Sequence, residues 1–354
     1  MFEAILQAYG LNPGQHQIEA FGSGLINHTW KVSGPEKAFI LQQINAKVFT
    51  RPQDIADNLR VLAAYLKEKS PHYLFAAPLA TVDGRHLIKS GDDYFRLSPF
   101  VKASHTVDFL TKSSQAYEAA KQFGKFTFLL QDFDVQQLKY TLANFHNLSL
   151  RIEQFKAALA NTADELKAQA AAEIQQVQQQ FDIAELYEQI SKNQEIPLRV
   201  IHHDTKINNV LFNDDDNGLG IIDLDTVMPG YYISDVGDMM RTYLAEASEE
   251  EQDLEKIAIR EDFFLGIYAG YISHMGSSLT LRERELFTYS GKFMIYMQAV
   301  RFLTDFLNGD IYYQVKYKGH NLSRAKNQLR LLELYIQSEP KFEQVIKFFT
   351  AAVH

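Results

Sequence analysis

The sequence predicts an α+β fold, with a small β-rich part over residues 1–100 and a large, mainly helical part over residues 101–354. Three observations predict it. Up to residue 100, short apolar runs alternate with glycine, proline and aspartate turns, as strands of a small sheet do. From Ser104 onward the apolar period lengthens from two to about 3.6, the spacing of amphipathic helices. Between Leu198 and Asp225 a strand, a polar loop and a hairpin interrupt the helices.

Residues 2–10 read as a short helix broken by Asn12-Pro13-Gly14. Phe21 to Val32 then reads as strand, glycine turn, strand, and Phe39 to Ile44 as a further strand after Gly34-Pro35. Arg51-Pro52 to Lys69 is an amphipathic helix with Ile55, Leu59, Leu62 and Leu66 on one face. Leu87-Ile88 and Tyr94–Leu97 suggest two strands joined by Gly91-Asp92-Asp93, and Ser98-Pro99-Phe100 a link between domains. Gln115 to Leu130 is a strong helix, and residues 145–180 contain another, rich in alanine, glutamine and glutamate near its end. Ser234-Asp235 has helix-capping chemistry. The acidic run from Glu249 to Asp253 reads as a solvated helix start, where acidic residues suit the helix dipole. Helices are expected over 262–275, 281–307, 324–335 and 341–352.

The chemistry is concentrated in His202-His203-Asp204-Thr205-Lys206-Ile207-Asn208-Asn209-Val210-Leu211-Phe212 and in Gly220-Ile221-Ile222-Asp223-Leu224-Asp225. Val210 to Asn213 and Leu219 to Ile222 are short strands joined by Asp214-Asp215-Asp216-Asn217-Gly218, a link of residues that favour turns. A hairpin centred on Asp216 pairs 210 with 222 and 213 with 219, and so sets Asn209 opposite Asp223. Directly opposed residues lie roughly 5 Å apart, close enough for an amide oxygen and a carboxylate to share one hard cation, which prefers oxygen ligands. Asp204 lies just upstream, where it can accept a proton from an attacking hydroxyl. A polar hairpin with a charged tip is the plainer alternative, but the strand before the histidines and the Ile-Ile-Asp-Leu-Asp ending favour phosphoryl transfer. Adjacent side chains on an extended segment point to opposite faces, so His202 and His203 do not form a metal pair. His202 reads as a buried, hydrogen-bonded loop histidine.

Composition removes several function classes. A formal charge of −9 argues against a nucleic-acid partner, which favours a basic face. With no cysteine there is no disulfide, thiol nucleophile or zinc-thiolate site. Met1–Leu6 lacks a basic, apolar leader and no run of eighteen apolar residues occurs, so a cytoplasmic protein without a membrane partner is expected.

HHDTKINNVLF followed by IIDLDTVMPG resembles the catalytic core of the aminoglycoside phosphotransferase and choline kinase superfamily, whose members have a protein-kinase-like, two-lobed fold. With YFRLSPF and VRFLTDFLNGDIYY, the chain is similar more narrowly to the N-acetylhexosamine 1-kinases, over nearly its whole length. The resemblance implies an ATP- and Mg²⁺-dependent kinase acting on a small-molecule hydroxyl, specifically the anomeric hydroxyl of an N-acetylhexosamine. It implies Asp204 as the base, Asn209 and Asp223 as metal ligands with Asp225 as a further one, and Asp235 bracing the loop. Residues 1–100 become the nucleotide-binding lobe, with Gly22, Ser23, Gly24, Asn27 and Thr29 at the phosphates and Ser98 and Phe100 at the adenine. Arg301 and Tyr312 match positions that face the sugar. The other reading of these two is an Arg301–Asp305 pair one helical turn apart and a core tyrosine.

One position departs from the superfamily. The lysine that usually holds the α- and β-phosphates aligns with Gln42, which brings no charge, and its usual glutamate partner aligns with Asp57, beside Asn58. This departure keeps open a nucleotide-binding pseudokinase, while choline, homoserine or an aminoglycoside remain alternative acceptors.

Overall fold

In the computed structural model, which describes residues 2–22, 24 and 26–352, the chain divides into two units. The first is made of residues 1–106, 129–143 and 209–229, the second of 107–128, 144–208 and 230–354. The first unit thus passes the expected boundary at residue 100 and takes in two later segments. Buried Asn58 explains why: its amide nitrogen donates to the carbonyls of Lys139 (2.8 Å) and Val227 (3.2 Å), and its oxygen accepts from the Lys139 backbone at 2.9 Å.

The first unit is built on five antiparallel strands, β1 (Gln17–Ala20), β2 (His28–Ser33), β3 (Ala38–Ile44), β4 (Ile88–Ser90) and β5 (Asp93–Pro99), in the order β1-β2-β3-β5-β4. Helix α1 (Phe2–Ala8) sets Ile5 and Leu6 against Val32, Leu41, Phe95 and Leu97 on one sheet face. It stops sooner than residue 10 because Gly10 turns the chain at φ +73°. Side chains alternate across a strand, so the register Thr29↔Gln42↔Arg96 puts these three together on the opposite face. Helix α2 (Pro52–Lys69) starts on a proline, whose missing N–H is no loss at a helix N-terminus, and buries Ile55, Leu59, Leu62 and Leu66 as expected.

The hairpin strands are Val210–Phe212 and Gly218–Ile221. Their register corrects the expectation by one residue: Val210 pairs with Ile221 and Leu211 with Gly220, and an irregularity follows between Leu211 and Phe212. Asp216, in the left-handed region at φ +61°, shapes the turn.

The second unit is helical. After α3 (Ser113–Leu129), the expected helix within 145–180 resolves into α4 (Leu148–Asn161), α5 (Asp164–Gln169), α6 (Ala171–Gln179) and α7 (Phe181–Asn193). The breaks fall at Thr162, Ala170 and Gln180, residues with no breaking chemistry of their own. Helices α8 (Tyr232–Tyr243), α9 (Glu261–Met275), α10 (Leu281–Glu285), α11 (Phe287–Leu307) and α12 (His320–Ala352) follow. The core is α11, in which only Lys292 and Arg301 escape full burial. It crosses α8 at Gly237, where a Cβ would lie 2.2 Å from the Ser290 carbonyl oxygen. Two expectations fail here. Pro340 does not split α12, and residues 249–253 form no helix; Glu250 instead accepts from Lys316 (2.9 Å), His320 (2.9 Å) and Arg324.

Candidate active site

In the second unit, the loop carrying Asp204 is suspended from α8. Asp235 accepts the backbone N–H of His202 at 2.8 Å on one carboxylate oxygen and that of His203 at 2.7 Å on the other. Asp238 accepts the N–H of Thr205 at 2.9 Å, the Thr205 hydroxyl donates to the Asp235 carbonyl at 2.8 Å, and the Tyr243 hydroxyl donates to the Thr205 carbonyl at 2.5 Å. The helix begins at Tyr232, so Asp235 lies inside its first turn and is no N-cap, contrary to the capping expectation. His203 takes a left-handed conformation at φ +68°, and a Cβ on Gly230 would come within 2.5 Å of its ring. His202 is fully buried, edge-on to Phe123 at 5.3 Å, as expected of a loop histidine.

The loop leaves Asp204 half-buried, with Lys206 3.2 Å away. Asp204 in turn is the main cause that raises the Lys206 amine above its ordinary pKa. His203 meets His146 at 3.4 Å between Nδ1 atoms. Burial, reinforced by His203 and Arg301, pushes His146 well below its ordinary value and keeps it neutral. For Asp235 burial dominates and raises the carboxyl to about 6, against the opposing effect of the two backbone N–H bonds.

In the first unit, Asn209 and Asp223 stand at the mouth of the hairpin. The Asn209 carbonyl accepts the Ile222 N–H at 2.9 Å, so the backbone contact falls one residue before Asp223. Asp223 then turns into the left-handed region at φ +58° and is exposed, while Asn209 is buried. An amide and a carboxylate are oxygen donors of the kind a hard divalent cation takes. Among the described residues no three His, Cys, Asp or Glu side chains cluster to hold a metal. A cation at this pair therefore needs further oxygens from its ligand, as Mg²⁺ does when it binds with substrate phosphates; the donor set fits.

Asp225, expected beside them, is committed elsewhere. It forms a buried ion pair with Arg96 and accepts from Asn27 Nδ2 at 2.7 Å. Arg96 also donates to Gln42 Oε1 from Nε (3.0 Å) and Nη2 (2.8 Å), and Gln42 Nε2 donates to the Thr29 hydroxyl at 3.4 Å. The structure thus joins Asn27, Thr29, Gln42 and Asp225 through one guanidinium. Asp57 does not meet Gln42; it pairs with Lys139 at 2.6 Å. Gly22 turns at φ +78°, Gly24 is exposed, and Ser23 lies outside the described residues. Ser98 is buried, and the Phe100 N–H is engaged by the Ala38 carbonyl at 3.1 Å. The Phe100 ring packs edge-on to Phe21 at 5.9 Å with Lys31 4.3 Å above it.

Arg301 and Tyr312 line one cavity of about 420 Å³ in the second unit, with Arg151, Asn308 and Tyr313. The alternative reading of the pair does not describe them. Asp305 binds the backbone N–H groups of Ile311 (3.1 Å), Tyr312 (2.8 Å) and Tyr313 (2.9 Å), and Asn321 as well, instead of Arg301. Tyr312 is 74% exposed and is no core residue. Arg301 lies between the rings of Phe145 (5.8 Å) and Tyr313 (5.5 Å) and donates to Gln298 at 3.3 Å.

Sequence reading passed over Arg96, Arg151 and Asp238. Arg151 carries no local signal, since it meets Arg301 only through the fold. The period-two pattern that identified β5 did mark Arg96 as an arginine among apolar neighbours, and a strand pairing of 42 with 96 was the missing step.

Over residues 17–268 the chain matches the model of the phosphotransferase enzyme family. Its fold is similar to that of an aminoglycoside phosphotransferase from Alicyclobacillus acidocaldarius, at 12% identity, a TM-score of 0.67, and coverage of 98% of this chain and 96% of the other. It is also similar to spectinomycin phosphotransferase in complex with ADP and spectinomycin (14% identity, TM-score 0.57, coverage 95% and 97%). A third is choline kinase from Cryptosporidium parvum (16% identity, TM-score 0.58, coverage 96% of both chains). The small antiparallel sheet and the mainly helical remainder are those of a protein-kinase-like fold, and the chain belongs to the phosphotransferase enzyme family.

Proposed function

We propose that the protein is an ATP- and Mg²⁺-dependent kinase that phosphorylates the anomeric hydroxyl of an N-acetylhexosamine. The observation that carries the reading is the loop of Asp204, whose neighbours are hung by backbone bonds from Asp235 and Asp238 while its own carboxylate stays half-exposed. Phosphoryl transfer through a loose transition state asks chiefly for positioning and charge stabilisation. A carboxylate on a rigid loop meets the first requirement. Asp204 accepts the proton as the sugar oxygen bonds to the γ-phosphorus and the bond to the ADP oxygen breaks. Asn209 and Asp223 would hold the Mg²⁺ ion, which when bound neutralises charge on the phosphates. Asn27, Thr29 and the Gly22–Gly24 turn serve the phosphates, with Ser98 and the Phe21–Phe100 ring pair at the adenine. Arg301 and Tyr312 orient the sugar.

The cavity supports a neutral or anionic acceptor over a cationic one. Its volume of about 420 Å³ suits a small molecule. Two guanidinium groups line it, and the carboxylate of Asp305 is taken up by four N–H donors. Choline and aminoglycosides, being cations, would meet repulsion there, and choline would ask for an aromatic cage.

Phosphorus NMR with Mg-ATP and either N-acetylglucosamine or N-acetylgalactosamine tests the reading. A new sugar 1-phosphate doublet is expected. ADP formed only with other alcohols would move the acceptor, and no turnover with any alcohol would leave the nucleotide-binding pseudokinase.

A further inference from the structure

We infer that Arg96 of β5 is the residue that binds the nucleotide phosphates in place of the lysine missing at Gln42, with Asp225 as its counter-ion. The inference rests on the nucleotide-binding part of the function proposed above. A triphosphate needs positive charge at the sheet, and Gln42 supplies none. Direct strand pairing sets Arg96 opposite Gln42, on the same face. The guanidinium lies over that position, since Nε and Nη2 both reach Gln42 Oε1. Gln42 thus orients the cation that it does not itself carry.

The pairing with Asp225 gives the second half of the arrangement. The Arg96 and Asp225 side chains are 5% and 2% exposed, so neither charge is left to water. An unpaired guanidinium there would be strongly disfavoured. Asp225 is fixed in turn by Asn27, which follows the glycine turn, and Asn27 Oδ1 accepts the Asn45 N–H at 3.0 Å. A cation, its carboxylate and the residue after the glycine turn therefore form one connected unit. Arginine has five N–H donors. Two go to Gln42 and one to Asp225; the second Nη1 N–H is on a buried atom, and the second Nη2 N–H is the one assigned here to a phosphate oxygen. Charge-assisted arginine–phosphate bonds are among the stronger hydrogen bonds and resist replacement by lysine where two parallel contacts are made.

A purely structural strut between β5 and the turn of Asp225 would look the same without nucleotide, so the test separates phosphate affinity from nucleoside affinity. Calorimetry on the full chain would measure Mg-ADP, Mg-ATP and adenosine binding to wild type, Arg96→Gln, Arg96→Lys and the Gln42→Lys/Arg96→Gln double variant. Arg96→Gln is expected to weaken both nucleotides about tenfold or more while adenosine binding stays within about twofold. The double variant, with lysine back on β3, recovers nucleotide affinity. Arg96→Lys keeps the charge beside Asp225 and gives a smaller loss, and it serves as the test where Arg96→Gln does not fold. Unchanged nucleotide affinity in both Arg96 variants, or equal losses for adenosine and ATP, overturns the inference while leaving the kinase reading intact. A wild type that binds neither nucleotide overturns both.

Discussion

Asp235 and His203 are joined by a 2.7 Å bond from the backbone N–H of one to the buried carboxylate of the other, and the adjoining N–H of His202 takes the second oxygen. The loop before Asp204 is therefore held by a carboxylate whose charge burial disfavours. Burial raises the Asp235 carboxyl from an ordinary 3.8 to about 6; buried His202 and Asp238 face it with opposite effects. Between these two values the folded chain binds more protons than the unfolded one. Its contribution to stability is complete at low pH and is lost as pH rises through about 6. Asp235→Asn removes that dependence. Urea unfolding should show wild type gaining on the variant by about 1–3 kcal/mol at pH 4 relative to pH 7.5. A difference that is flat with pH, or that grows at higher pH, contradicts the raised carboxyl.

Asp204→Asn keeps the size and the loop attachments but removes the proton acceptor. Because the backbone bonds from Asp235 and Asp238 do not involve this side chain, the variant should fold as wild type. General-base assistance typically contributes on the order of 10²–10⁴-fold, so kcat should fall by that range while ATP affinity is retained. Turnover equal to wild type would remove Asp204 from the chemistry.

Asp223 calls for a substitution that respects its backbone. At φ +58° an alanine would carry left-handed strain of roughly 1–2 kcal/mol, whereas asparagine visits this region readily. Asp223→Asn is expected to fold normally and, by removing the carboxylate charge, to weaken the dependence of nucleotide affinity on Mg²⁺. Titrations with and without the ion should then lie closer together than in wild type. If they remain as far apart as in wild type, the cation is held elsewhere.

The hairpin bearing these residues was legible, and its register was not. Asp214 to Gly218 announces a turn, and apolar triplets flank it. Counting from Asp216 assumes a regular ladder, but Val210 and Leu211 pair one residue earlier than that count gives, and Phe212, across the irregularity, pairs with Gly218, two residues earlier. Asn209 still lies against the end of the second strand, where its carbonyl accepts the Ile222 N–H and the left-handed turn at Asp223 follows. Arg96 shows another limit. Its strand was evident, yet its role depends on β5 pairing with β3 as well as with its chain neighbour β4, which brings Arg96 to a partner 54 positions away in the chain. At Asp235 the local sequence shows only helix-capping chemistry, and the bracing role came from the resemblance alone. Only the three-dimensional position of the loop from 202 to 205 shows that both its oxygens are engaged over 30 residues away in the chain.

Arg301 separates acceptor recognition from nucleotide binding. It is one of two residues of α11 that are not fully buried, and it projects into the cavity beside Arg151 and Tyr312. It donates to the neutral Gln298 at 3.3 Å, so no carboxylate is left unpaired when it is replaced. Arg301→Gln should therefore leave the fold intact, and since Asp305 keeps the loop of Ile311 to Tyr313 by backbone bonds, Tyr312 keeps its place. Loss of one charged hydrogen bond to a bound sugar costs roughly 1.5–3 kcal/mol, which is about 10- to 150-fold in the acceptor's kcat/KM. The KM for ATP should change by less than about twofold, because removal of uniform acceptor binding does not act on the nucleotide. Steady-state kinetics with each substrate varied in turn would measure this. A rise in KM for ATP with the acceptor's unchanged would assign Arg301 to the phosphates and leave the cavity without its proposed sugar contact.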